Sequence, residues 1–423
     1  MRRERAVDVL VVGAGPAGLA AAAALAAGGA GRVEVLEREP APGGVLRYLP
    51  SAGPGLPLGG PRYAGRLTAA ALRAGAELRC GIGATGWAGP RTLETTGPGG
   101  LERITARAVV LATGARERPR SARLVPGTRP AGVLTSGELL RSVHLFGQRV
   151  GDRAVVVGAG PEADRAVRAL RTAGTRVVAV VAAAADTEDG GERGGVRLPR
   201  PYEVGARALV GGVGSRLSVP VVRGARVTEL LGLGRLAGVR VAGPAERTAV
   251  LDCDTVVFTG GRVPDEALPR YGGAALDQGT RGPAVDAALR TSLPGVFAVG
   301  DALRAVERAR EAAAEGSAVA GPVRAFLSGA WSWPVRTVPV EVSGPLRWAT
   351  PNRLAPAAPP PAAIRLRPDE PLVRPVVEVR QDGRLLDRRR LRTAGGPDRS
   401  LRLPGGWAAS ADPAGGPVRI TVV

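Results

Sequence analysis

Two glycine fingerprints, Gly13-Ala14-Gly15-Pro16-Ala17-Gly18 and Gly158-Ala159-Gly160-Pro161-Glu162-Ala163, stand 145 positions apart in a chain of 423 residues. Each follows a short apolar run and opens an alanine-rich stretch of helical character. A single Gly-rich turn is common and says little. Two of them, each between an apolar run and a helix, predict two dinucleotide-binding βαβ units.

The first fingerprint carries the fuller signal. Residues 7–12 read as a buried strand and residues 16–27 as a helix with proline in its first turn. Gly13 permits the tight turn, Gly15 lets backbone approach a pyrophosphate, and Gly18 allows close helix–strand packing. The helix start presents free N–H groups and a positive dipole end to the phosphates. A second strand over residues 32–36 leads to Glu37, 24 positions beyond Gly13, where an acid can accept hydrogen bonds from a ribose.

Composition excludes more than it proves. All 58 basic residues are Arg and the formal net charge is +20, a skew that reads as codon bias rather than as a binding surface. Aromatic residues make up 3%, too few for base-stacking platforms, so no specific nucleic-acid partner is expected. Cys80 and Cys253 form no C-x-x-C pair, which argues against a dithiol centre, and with His144 alone beside them a zinc site is not expected. Arg2, Arg3 and Arg5 before an apolar run resemble a targeting segment, but cleavage there would destroy a complete fingerprint. No stretch reaches the length of a membrane span, and the chain is expected to be soluble and cytoplasmic.

Further along, residues 40–65 read as irregular and include Gly43, Gly44 and Tyr48. A helix is predicted over 66–74, strands near 77–81, 92–95 and 104–107, and a buried strand over 108–115 that ends in a Thr113-Gly114 turn. Residues 116–150 read as a crossover. Strands follow at 153–157 and 175–181, a loop over 184–200, a helix near 202–209, and strands at 219–222, 227–231, 236–241 and 255–259. Residues 293–301 read as a turn, a buried strand and a terminal Gly300-Asp301 pair, followed by a helix over 306–325. Open α/β sheets bind ligands beyond the C-terminal ends of their strands, which places Gly300 and Asp301 well.

In this order the motifs Gly13–Gly18 with Glu37, Ala112-Thr113-Gly114, Gly158–Ala163 and Gly300-Asp301 resemble the two-dinucleotide-fold FAD/NAD(P) oxidoreductases, the thioredoxin reductase class, over residues 6–328. Within it the chain looks most like the branch lacking the redox disulfide, similar to the FAD subunits of amine and amino-acid dehydrogenases. Gly43-Gly44-Val45, residues 116–119 and Thr259-Gly260-Gly261-Arg262 support that placement.

The resemblance implies an α/β fold of two Rossmann-like domains. A discontinuous FAD domain would comprise residues 1–122 and 283–330, with an NAD(P)-type domain, 123–282, inserted. It further implies that Gly13, Gly15, Ala17 and Gly18 hold the FAD pyrophosphate, Glu37 the ribose, and Gly43, Gly44, Ala84, Thr113, Gly114, Gly300 and Asp301 other parts of FAD. A helix beginning near Ala309 would aim its N-terminus at the flavin pyrimidine edge. Gly158, Gly160 and Ala163 would serve NAD(P)H or persist as scaffold, since Ala182 stands where the first unit has Glu37 and Asp186 is the nearest acid. The expected partners are a small donor and a second dehydrogenase subunit or acceptor protein. No general base is identified, with Glu117, Glu138 and Tyr48 the candidates. Residues 331–423 read as a small β domain, with runs 376–380 and 384–388 flanking Gln381-Asp382-Gly383 as a hairpin.

Overall fold

The apolar residues Val9, Leu10 and Val11 are fully buried in strand β1 (Arg3–Val12), as a central strand covered on both faces requires. Five further strands join it: β2 (Val33–Glu37), β3 (Glu77–Cys80), β4 (Gly83–Gly89), β5 (Thr92–Gly97) and β6 (Gly100–Leu111). Their order is β3-β2-β1-β6-β5-β4, and the Val296–Ala298 strand also pairs with β6. Pairing is parallel from β3 to β6 and antiparallel across the β4–β6 meander. The structure, a computed structural model, describes residues 3–50, 59–183, 219–243, 247–305, 308–355, 360–397 and 399–423.

Helix α1 (Pro16–Ala27) connects β1 to β2 and buries Leu19 and Leu25 against the sheet, while helix α2 (Gly60–Arg73) precedes β3. The chain divides into two compact units, one of Met1–Arg47, Ser51–Arg116 and Val263–Val423, the other of Tyr48–Pro50 and Glu117–Arg262. Sequence reasoning places the corresponding boundaries at 122/123 and 282/283.

The second unit holds a five-stranded parallel sheet in the order Val221–Arg223, Arg176–Ala182, Arg153–Val157, Thr255–Phe258, Val133–Thr135. Helix α3 (Ser136–Phe146) lies within what reads in sequence as a plain crossover. Its start is a capping box: Glu138 N–H donates to Thr135 Oγ1, and Thr135 N–H donates to the Glu138 carboxylate. Helix α4 (Gly160–Thr172) follows the second fingerprint. The loop expected over 184–200, Asp186 and the helix expected over 202–209 lie outside the described residues.

Two other expectations need correcting. The two strands read near 104–107 and over 108–115 are one strand, β6, which ends at Leu111. The helix expected over 306–325 is two helices, Ala309–Ala318 and Ala320–Leu327. Pro322 has no N–H to donate to the carbonyl of residue 318, so the backbone ladder cannot run through.

Within the first unit, residues beyond 331 build two sheets over one apolar core that includes Ile364, Leu366, Val377, Val379, Leu401, Leu403, Val418 and Ile420. The hairpin of Val376–Gln381 and Arg384–Arg390 turns at Asp382 (φ 48°) and Gly383 (φ 83°), two consecutive positive values that suit the twist of a tight hairpin. Among the described residues no helix is long and apolar enough to cross a membrane.

Candidate functional site

The turn out of β1 is fixed by three glycines with three different surroundings. A Cβ on Gly13, whose φ is +104°, would lie 2.4 Å from the Ala112 carbonyl oxygen, and one on Gly18 would lie 1.9 Å from the Gly13 oxygen. Both positions are closed by backbone. A Cβ on Gly15 would meet nothing within 4 Å. Gly15 is the N-cap of α1, no side chain caps that end, and no acid stands in its first turn. The helix thus leaves its first N–H groups and positive pole facing open space, the requirement for binding a phosphate.

Other predicted residues converge on this turn. Glu37, at the buried end of β2, accepts from the N–H of Ala14 (2.9 Å) and of Glu39 (2.9 Å), so its carboxylate braces the fingerprint loop. Gly43 N–H donates to the Ala14 carbonyl at 2.8 Å, and a Cβ on Gly44 would lie 3.1 Å from the Gly15 Cα. Thr113 Oγ1 donates to the Asp265 carbonyl (3.1 Å) and Asp265 N–H to the Gly114 carbonyl (2.9 Å), while the space beside Gly114 is open. Gly300 abuts α1, its added Cβ falling 2.6 Å from the Ala17 Cβ. Asp301 is half-buried at the start of the short Asp301–Arg304 helix, and Ala309 opens the Ala309–Ala318 helix. Ala84 is separate from this group of contacts: it lies in β4 opposite Thr95 and packs on the apolar layer beneath.

Sequence reasoning misses Glu315. Its carboxylate accepts from Gly300 N–H (2.8 Å) and from the fully buried Arg304 side chain (2.8 Å), pinning the Gly300-Asp301 turn from the neighbouring helix. Only the fold brings these residues together, and no local motif announces them.

The second fingerprint is built differently. A Cβ on Gly158 (φ +125°) would lie 2.1 Å from Thr259 Oγ1, and Ala163 is fully buried against the sheet. Gly160, at φ +71°, is the first residue of α4. Glu162 stands in the first turn of that helix, where it accepts from Gly260 N–H at 2.7 Å and pairs with Arg262 at 3.2 Å. Arg262 also approaches Glu117 at 3.6 Å, and burial first of all lowers the pKa of Arg165, with Glu162 opposing. Ala182 is buried at the end of its strand and offers no acid.

None of the three candidate bases stands ready for proton transfer. Glu138 is used in the α3 cap. Glu117 accepts from Ser136 Oγ (2.6 Å) and Gly137 N–H (2.7 Å), and Tyr48 packs against the apolar core of the second unit. Burial pushes the Cys253 thiol up to about 12, with Asp254 adding to it, and burial followed by Glu37 raises Cys80. His144 is lowered by burial alone. Among the described residues no group of His, Cys, Asp and Glu could hold a metal ion.

The first unit therefore fits a dinucleotide: an uncapped helix start, an open cradle at Gly15, and a second glycine loop held against it. Together with a second βαβ unit, this defines the two-dinucleotide-fold class of flavin-dependent oxidoreductases. The chain belongs to the pyridine nucleotide-disulphide oxidoreductase family, whose model matches residues 7–316. The family binds FAD and often NAD(P)H.

A protein of Agrobacterium tumefaciens (strain Ach5), named as one of the subunits of opine oxidase, is 31% identical over 326 residues, covering 70% of this chain and 61% of that protein. The chain thus spans about three fifths of the length of that curated relative. The fold is shared with T. acidophilum thioredoxin reductase (TM-score 0.57, 22% identity, 76% of this chain and 98% of that one). It is also shared with L-proline dehydrogenase from P. horikoshii (TM-score 0.55, 18% identity, 78% and 57%).

Proposed function

We propose that the chain is the FAD-binding component of an oxidoreductase that takes a hydride from a small amine or amino-acid-derived donor and works without a redox-active disulfide. The observation that carries this reading is the α1 terminus: no side-chain cap, no first-turn acid, and open space at Gly15. The chemistry FAD supplies when bound is hydride acceptance at N5 and return of the electrons to a further acceptor. In this reading α1 binds the pyrophosphate and Gly43 and Gly44 admit the cofactor past the loop. Glu37 holds the turn with its carboxylate, and Glu315 holds Gly300 and Asp301 in place.

Two observations favour a small donor over NAD(P)H. The first turn of α4 already holds Glu162, tied to Gly260 and Arg262, and the strand end at Ala182 carries no ribose-binding acid. The relatives named as opine oxidase subunits point to an opine as the donor class and to an enzyme of several chains. The raised thiols of Cys80 and Cys253 disfavour thiolate chemistry at neutral pH.

A second reading is a non-catalytic FAD-binding protein that relays electrons within a hetero-oligomer. It draws on the same relatives' names, which make each of them one part of a larger enzyme, and on the lack of a poised base among the three candidates. An anaerobic titration of the purified flavoprotein with an opine, NADH and NADPH in turn separates these. Bleaching by the opine supports the small-donor reading. Bleaching by NADH or NADPH overturns the choice of donor. A yellow protein that stays oxidised throughout favours the relay, and a colourless protein that refuses added FAD overturns both.

A further inference from the structure

The Ala309–Ala318 helix lies against α1 at backbone distance: a Cβ on Gly316 would fall 2.0 Å from the Ala17 carbonyl oxygen. Further along, a Cβ on Gly28, just after α1, would meet Arg324 of the following helix at 3.1 Å. The first contact packs the Ala309–Ala318 helix on the start of α1, and the second packs the following helix beside the end of α1. Ala309 lies seven positions before Gly316, and Ala17 is the second residue of α1. The start of the Ala309–Ala318 helix therefore lies about 10 Å along its own axis from the Gly316 contact, at 1.5 Å per residue. Its first turn stands against the Gly300-Asp301 turn: a Cβ on Gly300 would lie 3.7 Å from the Ala312 Cβ.

Glu311 occupies the first turn of this helix. A carboxylate there opposes any further negative charge that the positive helix end would otherwise stabilise. Arg365, from the Ala363–Pro368 strand of the C-terminal sheets, reaches it with Nη1 2.6 Å from the Glu311 carboxylate. The pair is partly shielded, the side chains being 17% and 35% exposed. Arg308 and Arg310 flank it but are exposed, so water screens them more strongly.

Resting on the FAD reading above, we propose that Arg365 is a positioning residue for the flavin site: by neutralising Glu311 it lets the helix end favour negative charge on the flavin pyrimidine. The C-terminal β region thereby tunes the cofactor of the sheet on which it packs. Its contribution is electrostatic and needs no contact between Arg365 and the cofactor.

Sulfite provides the test, because it adds reversibly to flavin N5 and leaves negative charge on the N1 side, without any substrate. With the full chain loaded with FAD, Arg365→Met is expected to weaken sulfite binding about two- to fivefold, the range of a single charge near a helix end. Glu311→Gln is expected to tighten binding by a similar factor, and the double variant to return close to the unsubstituted protein. Unchanged sulfite affinity in yellow Arg365→Met, or in Glu311→Gln if the former fails to fold, overturns the inference. Lower thermal stability alone, with sulfite affinity unmoved, would also overturn it by showing a structural role. If the unsubstituted chain takes up no FAD, the functional reading falls first and this inference with it; lack of colour distinguishes that outcome.

Discussion

The two fingerprints share a spacing and differ in what stands before the helix. At α1 the carboxylate that matters, Glu37, sits to one side, bonded to the Ala14 and Glu39 amides, and the helix end faces open space. At α4 a carboxylate is in the first turn itself, tied to Gly260 and Arg262. The same Gly-x-Gly-x-x-Gly/Ala pattern thus frames one helix start with no acid in its first turn and another that carries a carboxylate paired with an arginine. The motif specifies the strand–turn–helix geometry; the residues around it decide what the geometry can hold.

The comparison can be broken most severely at Gly18. Gly18→Ala forces a Cβ onto the Gly13 carbonyl at 1.9 Å, and we expect a loss of about 3 kcal/mol or more, seen as a colourless protein with a sharply lowered Tm. Gly15→Ala meets no protein atom within 4 Å, so it should fold normally and weaken FAD by about tenfold or more as its methyl enters the cradle. A Gly15→Ala chain that binds FAD with unchanged affinity would show that the cradle is not the pyrophosphate site.

Next in size is Glu315→Ala, which takes one carboxylate partner from the buried Arg304 and the acceptor from the Gly300 N–H. Losing charged hydrogen bonds of this kind costs about 1–3 kcal/mol, which chemical denaturation would measure. At the second fingerprint the effect should be smaller and opposite in sign. Glu162→Gln removes the charge opposing a pyrophosphate and should improve NADH binding by about fivefold, read by quenching or calorimetry. Equal or weaker binding would leave Glu162 with a purely structural role.

The smallest effect concerns pH. The hydrogen bond from Arg32 N–H (2.8 Å), then that from Arg107, holds the Asp8 carboxyl below the usual carboxylate range. A depressed folded-state value means stability that is present at neutral pH and lost as pH falls through that value. Asp8→Asn should therefore cost at most about 1 kcal/mol at pH 7, and the two melting curves should converge as the medium becomes strongly acid.

Much of this is legible in the sequence. The α1 boundaries follow from Pro16 and from the glycine after Ala27, and the hairpin at Asp382-Gly383 follows from two residues that tolerate positive φ. These signals are local, and local reasoning finds them. Helix α3 escapes such a reading although Thr135-x-x-Glu138 is a capping signature, because Arg- and Pro-rich neighbours dominate residues 116–150. The roles of Glu162, Glu315 and Arg365 are not legible in the same way. Each depends on a partner brought near by the fold: Gly260 is 98 positions from Glu162, and Glu311 is 54 from Arg365. Glu37 stands out in the sequence as an acid at a strand end, but its use of two backbone amides emerges only with the loop in place.

Asn352 links the C-terminal sheets to the first unit's loop at Val285 in both directions: its side-chain oxygen accepts from Val285 N–H at 2.8 Å and its own N–H donates to the Val285 carbonyl at 3.1 Å. Trp333 stacks edge-on against Phe297 and Phe326, and the guanidinium of buried Arg290 lies over the rings of Trp331 and Trp333. Residues after 330 are consequently no removable appendage. A chain ended there would leave a main-chain amide without its acceptor, strip an interior cation of its aromatic cover, and uncover the face of Phe297. Melting of the β region and of the parallel sheet should then be a single cooperative event, and a fusion or truncation planned at that joint would inherit its cost.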